Sequence, residues 1–215
     1  MKDELIVRLR QLDWDGIIAM AQADKKVVRT LLKLLYHPDD YIHWLAAEAI
    51  GKYGSSLALE NPEKTRELVR RLLWNLNEEC GASPWGSVEA IAAITAEQPD
   101  LFANYVSILF PFHEDESLLP GVIWVQAQVG RRDPGAVAMY IPFLIGMLRH
   151  SSPAIRAYAA WALGEIQARE AVRELQDLLG DGTEVALYDR GGVYRTTTVA
   201  RIAQSSLEVL QNHRL

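Results

Sequence analysis

Apolar and small residues recur along this chain with the period of an amphipathic α-helix. In the segment 42–51 they fall at Ile42, Ala46, Ala49 and Ile50, which are positions i, i+4, i+7 and i+8. On a helix this spacing gathers them into one stripe. The segment is therefore predicted to be a helix that packs along that stripe, and alanine lets a neighbouring helix approach closely.

The same pattern returns several times. The segment 35–51 aligns without a gap with 148–164, and weaker copies occupy 85–92, 124–130 and 199–207. The equivalent positions 51, 92, 130 and 164 are 41, 38 and 34 residues apart. A period of this size is typical of repeats that each contain two helices.

Leucine-rich helical periodicity also precedes each copy, so a helix–turn–helix order repeated about five times is predicted. The predicted partner helices span residues 25–36, 62–77, 101–112, 136–149 and 168–179. We expect an N-terminal cap over 1–24, repeats over 25–180 and a last repeat over 181–215. Because such repeats bury a core only against their neighbours, residues 1–215 are predicted to form a single domain.

Glycine and proline mark the expected helix ends. Gly51, Gly130 and Gly164 each end a copy, so each is expected to adopt the left-handed conformation that closes a helix. Pro38 and Pro153 stand at the preceding turn, where proline ends one helix or begins the next.

These residues resemble the HEAT repeat, in which leucines are followed by a proline-containing turn, a Val-Arg pair and spaced alanines ending in Ala-Leu-Gly. The segment 150–164 matches well, 37–51 matches with His43 in place of arginine, and the middle copies match poorly. The chain is more closely similar, over about residues 25–212, to the phycobilin-lyase-type HEAT-like repeat family of prokaryotes, whose function is not settled. The resemblance implies an all-α, right-handed α-solenoid of about five hairpins.

The family resemblance also sets the expected functions. It implies a scaffold or adaptor that binds a protein through the concave face. Because the residues show no cofactor-binding motif, no cofactor is expected. The lyase branch implies, as an alternative, an accessory factor that handles a tetrapyrrole or its apoprotein. A nucleic-acid binder is the further alternative, since some HEAT proteins have that role.

Residues 184–197 interrupt the helical pattern of the last repeat. β-Branched and aromatic residues flank Gly191-Gly192, which predicts a small β-hairpin insertion with a tight turn. It is either a cap that shields the last helix pair or an arm that contacts a partner. The contact candidates are Tyr188, Arg190, Tyr194 and Arg195.

Tryptophan is abundant, with six in 215 residues, and three lie in or near repeat register. The second helix of each hairpin lines the concave face in HEAT arrays, so these rings and their neighbours are candidates for a partner-binding ridge. The ridge residues are His43, Trp44, Glu48, Trp85, Glu89, Arg156 and Trp161. Exposed tryptophan with arginine is typical of interface hot spots. The other interpretation is that the rings fill gaps in the core.

The charge balance weighs against a nucleic-acid partner. Twenty-eight acidic residues against 22 basic ones give a net charge of −6 and a pI near 5.4, whereas nucleic-acid binding needs a basic surface. No apolar run reaches the 18 residues of a membrane span. The N-terminus Met1-Lys2-Asp3-Glu4 does not resemble a signal peptide, so a cytoplasmic location is expected.

Reactive chemistry is not predicted. The one cysteine, Cys80, follows Glu78 and Glu79 and is poorly placed to form a thiolate, so we expect an inert thiol rather than a nucleophile or an attachment site. His37 and His150 share one repeat position, which indicates a structural role at the turn. No spacing typical of metal ligands or of a phosphate loop occurs. The chain is therefore predicted not to be an enzyme.

Overall fold

The computed structural model describes residues 1–77 and 86–212, and these residues are mostly helical. They form thirteen α-helices and two β-strands. In chain order the helices are α1 Lys2–Arg10, α2 Trp14–Ala23, α3 Lys25–Leu34, α4 Asp40–Glu60, α5 Pro62–Asn77, α6 Ser87–Glu97, α7 Pro99–Phe102, α8 Tyr105–Leu109, α9 Leu119–Arg132, α10 Ile141–Met147, α11 Pro153–Glu165, α12 Val172–Asp177 and α13 Val199–Asn212. The 3₁₀ segments are Phe110–Glu114, Pro134–Tyr140, Arg169–Ala171 and Leu178–Gly180.

The second helices of the predicted repeats form the centre of the molecule. They pack in chain order, α4 against α6, α6 against α9, α9 against α11 and α11 against α13. The predicted N-terminal cap is itself a helix pair, α1 and α2, and both of its helices pack on α4. One continuous apolar cluster runs through the described residues from Leu5 to Leu210. Within the described ranges, no helix is long and apolar enough to cross a membrane.

The predicted turn signals act as expected. Asp39 caps α4 by accepting a hydrogen bond from the Tyr41 amide at 3.0 Å, and Pro153 begins α11. The two repeat-equivalent histidines have the same role, which confirms their structural assignment. The His37 Nδ1 accepts from the amide of Asp39, and the His150 Nδ1 accepts from the amide two residues further along, each at 3.1 Å.

The prediction for the repeat-ending glycines is wrong. Gly51, Gly130 and Gly164 lie inside α4, α9 and α11, and none is among the described glycines with positive φ. They are instead positions of close helix approach. A Cβ on Gly51 would lie 2.6 Å from the Cβ of Ala93, and one on Gly164 would lie 2.6 Å from the Ser206 Oγ. The repeat therefore ends where two helices touch, not where a helix stops.

Several predicted first helices are broken into short pieces. The predicted helix 101–112 is divided among α7, α8 and a 3₁₀ segment, and 136–149 begins as a 3₁₀ segment before α10. Both 3₁₀ segments have proline in their first turn. Proline lacks an amide hydrogen and restricts φ, so it interrupts the regular hydrogen bonding of an α-helix.

The predicted hairpin insertion is present as two antiparallel strands, β1 Glu184–Asp189 and β2 Val193–Thr198. The strands pair from Glu184 with Thr198 to Asp189 with Val193. Arg190, Gly191 and Gly192 form the turn. The two glycines have φ values of +81° and +76°, a conformation that glycine adopts without steric cost. The tight Gly-Gly turn is therefore confirmed.

Candidate partner-binding sites

The hairpin lies across a surface formed by α4, α6, α9 and α11, which we call the inner face. The Tyr188 ring stacks on Trp44, with centroids 5.1 Å apart and planes 9° apart. Trp44 also contacts Trp124 at 5.6 Å and Tyr158 at 6.0 Å. The Tyr158 hydroxyl accepts a hydrogen bond from the Tyr188 amide at 3.1 Å. These four rings form a closed aromatic cluster between the helices and β1.

Glu48 holds the tip of the hairpin. Its buried carboxylate accepts hydrogen bonds from the Tyr188 hydroxyl and from the amides of Gly191 and Gly192, the latter two at 3.0 and 3.2 Å. Successive left-handed residues direct their amides toward one point, which suits an anion. Burial and the negative Glu48 raise the pKa of Tyr188 well above its usual value. The tyrosine therefore remains a proton donor and Glu48 an acceptor.

Ion pairs fasten the hairpin on either side of this anchor. Arg190 lies 2.8 Å from Glu97, which Lys52 also contacts at 3.0 Å. Burial, the largest single effect, would raise the pKa of Glu97, but these two cations outweigh it and the pKa is lowered. Arg131 contacts Asp189 at 3.2 Å. The inner face thus carries a negative charge opposite Arg190 of the hairpin and a positive charge opposite Asp189.

The outer strand adds polar contacts to α4. The Tyr194 hydroxyl donates to Asp40 at 2.9 Å, and the Tyr41 hydroxyl donates to the Gly192 carbonyl at 3.1 Å. Three of the four predicted contact-arm residues, Tyr188, Arg190 and Tyr194, therefore bind their own chain. The fourth, Arg195, is more than half exposed. The hairpin also packs on α11 and α13, so it covers the last helix pair and, beyond it, the inner face.

The predicted ridge is not an exposed surface in this structure. Its described members, other than the half-buried Arg156, are at most 7% exposed: His43, Trp44, Glu48, Glu89 and Trp161. Of the two interpretations, the exposed ridge is wrong for these residues and the core interpretation holds for Trp44 and Trp161, because the hairpin and the neighbouring helices cover them. Arg156 is engaged by Asp181 at 2.7 Å and by two backbone carbonyls. Trp85 lies outside the described residues, as does Cys80.

His43 and Glu89 form a buried pair between α4 and α6. The His43 Nδ1 lies 2.7 Å from the Leu35 carbonyl, and its Nε2 lies 3.9 Å from the nearer Glu89 oxygen. Burial, the largest effect, lowers the pKa of His43, but the Glu89 carboxylate and the Leu35 carbonyl outweigh it, so the pKa is raised. The other Glu89 oxygen has no hydrogen-bond partner among the residues described.

A small notch opens between the hairpin and the helices α11 and α13. It has a volume of about 230 Å³, and Trp161, Leu187, Arg195, Arg201 and Val209 contribute to its walls. The guanidinium of Arg131 lies over the Trp161 ring, 5.9 Å from its centroid. Trp161 and Arg195 therefore meet at one site, although the sequence analysis placed Trp161 on the ridge and Arg195 on the hairpin.

Sequence reasoning missed several residues of the inner face, namely Tyr158, Trp124, Lys52, Glu97 and Arg131. A signal was present for some of them: Lys52 stands one turn after Glu48, and Tyr158 stands one turn before Trp161. No group of three or more potential metal ligands occurs in the described part of the chain. The aromatic surface of Trp44 that a flat tetrapyrrole could use is occupied by Tyr188.

Comparison with known proteins agrees with this architecture. Residues 106–187 match the family of HEAT repeats. An uncharacterized protein of Archaeoglobus fulgidus is 35% identical over 83 residues, which is 37% of this chain and 42% of that protein. The chain thus spans less than half of the length of this relative. The family match runs from α8 into β1 and supports a HEAT-repeat protein, while the closer likeness to phycobilin-lyase-type proteins stays a prediction.

Proposed function

We propose that this protein is a HEAT-repeat solenoid that binds another protein and has no catalytic role. The match over residues 106–187 supports the proposal, because HEAT repeats commonly serve as protein-interaction scaffolds. The inner face is filled by the chain's own hairpin, so a partner on this side meets the hairpin and its edges rather than the buried ridge. The notch at the hairpin edge is the proposed contact site.

The composition of the notch is the observation that carries this choice. Trp161 and Leu187, which are 6% and 2% exposed, form its covered floor, and Val209, which is 37% exposed, offers accessible apolar surface. Arg195 and Arg201 offer positive charge beside Glu165, which is paired with Arg131 at 2.6 Å. Tryptophan and arginine dominate the energetics of protein interfaces. A volume of about 230 Å³ is below the roughly 300–1,000 Å³ of most small-molecule pockets. The notch is therefore suited to one or two side chains of a protein, with acidic residues beside them.

Reversing the two exposed charges tests the proposal. The variant is Arg195→Glu/Arg201→Glu, and the matched control is Arg173→Glu, which changes an exposed arginine on α12. Among the described residues, the one ion-pair contact of Arg195 is a long one, 3.5 Å to Asp189, so the fold should persist, and thermal melting checks this. Tagged forms are incubated with native lysate at near-physiological salt, and the retained proteins are quantified by mass spectrometry.

We expect at least one lysate protein to be retained by the wild type and by the Arg173→Glu control. The same protein should not be retained by Arg195→Glu/Arg201→Glu. Equal retention by all three forms would exclude the notch as the contact site. If the wild type retains nothing above a tag-only control, the scaffold function itself is refuted.

A further inference from the structure

A second surface lies at the opposite end of the chain, where α3 and α5 diverge. Both helices pack on α4 rather than extensively on each other. α4 has 21 residues against ten in α3, so it is longer than α3 can cover. Its part after Gly51 contributes Tyr53 and Leu57 to the space between the two helices. A groove of about 640 Å³ opens between α3 and α5.

The floor of the groove is apolar and partly accessible. Leu32 from α3 and Tyr53 and Leu57 from α4 are half-buried, while Val28 and Leu68 are nearly covered. Trp74 lies one helical turn after Arg71 on α5, in line with the residues of α5 that line the groove. It is 68% exposed. An accessible apolar strip of this kind is typical of binding surfaces.

The rims of the groove are basic, although the protein as a whole is acidic. Lys25, Arg29, Lys64 and Arg71 line it against only two acids, Glu60 and Glu67. Lys64 is paired with Glu60 at 3.0 Å. The side chains of Lys25, Arg29 and Arg71 have no ion-pair partner in the described part of the chain. Three cations therefore remain available to an anionic ligand.

The shape of the groove favours a helix. Its α3 wall uses residues 25, 28, 29 and 32, and its α5 wall uses 64, 67, 68 and 71. Each wall thus presents about two helical turns, or about 12 Å. A helix of this length matches both walls, and its apolar residues at i, i+3, i+4 and i+7 would face the floor.

We infer that this groove binds an acidic amphipathic helix of a partner protein. The aliphatic floor buries the apolar stripe of that helix, and the free cations on both rims pair with acidic residues on its flanks. A phosphate-rich ligand fits less well, because Glu60 and Glu67 also line the groove and the aliphatic floor gives little for phosphates to contact. This surface is distinct from the notch, and the inference does not depend on the notch.

A display library of 16-residue helical peptides tests the inference directly. Leucines are fixed at i, i+3, i+4 and i+7, and the flanking positions are randomised among Glu, Lys, Gln and Ser. Selection is performed against the wild type and against Arg29→Glu/Arg71→Glu, two exposed substitutions. Thermal melting confirms that the variant folds. The controls are Arg173→Glu and the notch variant Arg195→Glu/Arg201→Glu.

We expect glutamate-rich flanks to be enriched on the wild type and on both controls. The selected peptides should bind Arg29→Glu/Arg71→Glu about tenfold more weakly or worse, and selection on that variant should turn toward lysine. Their affinity should fall as salt is raised.

The inference is overturned if no flank preference emerges, or if the same peptides bind the groove variant equally well. It is also overturned if no peptide is selected while a 16-nucleotide single-stranded DNA, or vesicles containing phosphatidylglycerol, bind in a way that Arg29→Glu/Arg71→Glu abolishes. Because the notch variant is a control here, failure of this inference and failure of the proposed function give different results.

Discussion

Replacing Glu48 with alanine tests whether one carboxylate holds the hairpin on the inner face. The substitution leaves the Tyr188 hydroxyl and the amides of Gly191 and Gly192 without their acceptor. A hydrogen bond to a charged group contributes about 1.5–3 kcal/mol, and bonds that share one carboxylate do not add fully. The Tyr188 hydroxyl is buried, so leaving it unsatisfied costs about 1–3 kcal/mol, and the two amides cost less because water can reach them. We therefore expect the free energy of unfolding to fall by about 2–4 kcal/mol.

Urea denaturation followed by circular dichroism measures this loss, and amide hydrogen exchange locates it. The amides of Gly191 and Gly192 should exchange faster in Glu48→Ala than in the wild type. Tyr188→Phe removes only one of the three donors, so its cost should be smaller, about 1.5–3 kcal/mol. Glu63→Ala, which removes an exposed acid on α5, is the control and should stay within about 0.5 kcal/mol of the wild type.

A loss below about 1 kcal/mol in Glu48→Ala, with unchanged exchange at both glycines, would refute the anchoring role. A large loss of stability with unchanged exchange at Gly191 and Gly192 would be equally informative. It would mean that Glu48 stabilises α4 itself and that the aromatic stacking and the ion pairs are sufficient to hold the hairpin.

Three further predictions concern the packing and the buried pair. Trp44→Ser should lower the free energy of unfolding by about 3–5 kcal/mol, as large-to-small core changes do; a melting curve like that of the wild type would contradict its place in the core. Gly164→Ala should lower the free energy of unfolding by about 1–3 kcal/mol, because the added methyl group has no room beside Ser206. The control Gly146→Ala, in open space on α10, should raise it by about 0.5–1 kcal/mol. Equal effects of the two substitutions in urea denaturation would rule out the close-approach explanation. Because folding raises the pKa of His43, the resulting stabilisation is complete below about pH 6.5 and is lost as the pH rises through the folded value. Wild-type stability should therefore fall relative to Glu89→Gln as the pH is raised from about 6.5 through the raised pKa of folded His43. Parallel dependence of the two proteins' urea-denaturation free energies on pH would argue against a charged pair.

The sequence predicted the helices and the hairpin because both depend on local signals. Apolar periodicity placed α4. The Gly191-Gly192 turn was also local, since the residues that need positive φ are next to each other. Each of these features depends on a few neighbouring residues.

What covers the inner face could not be predicted in this way. The partner of Glu48 is Tyr188, 140 residues further along the chain, and no periodicity links the two positions. The glycines gave a wrong helix end for a related reason. Gly51 looks the same in sequence whether a helix ends there or another helix touches it, and only the position of Ala93 distinguishes the two cases.

The return of the hairpin to α4 also changes how the chain is expected to fold. In a repeat array each unit contacts only its neighbours, so an end can unfold by itself. Here Tyr194 bonds to Asp40 across 154 residues, and Gly191 bonds to Glu48 across 143. Such distant contacts close slowly and join the two ends in one cooperative transition. During synthesis, the aromatic surface around Trp44 therefore stays uncovered until β1 and β2 have emerged, and in that interval it is open to chaperones and to aggregation.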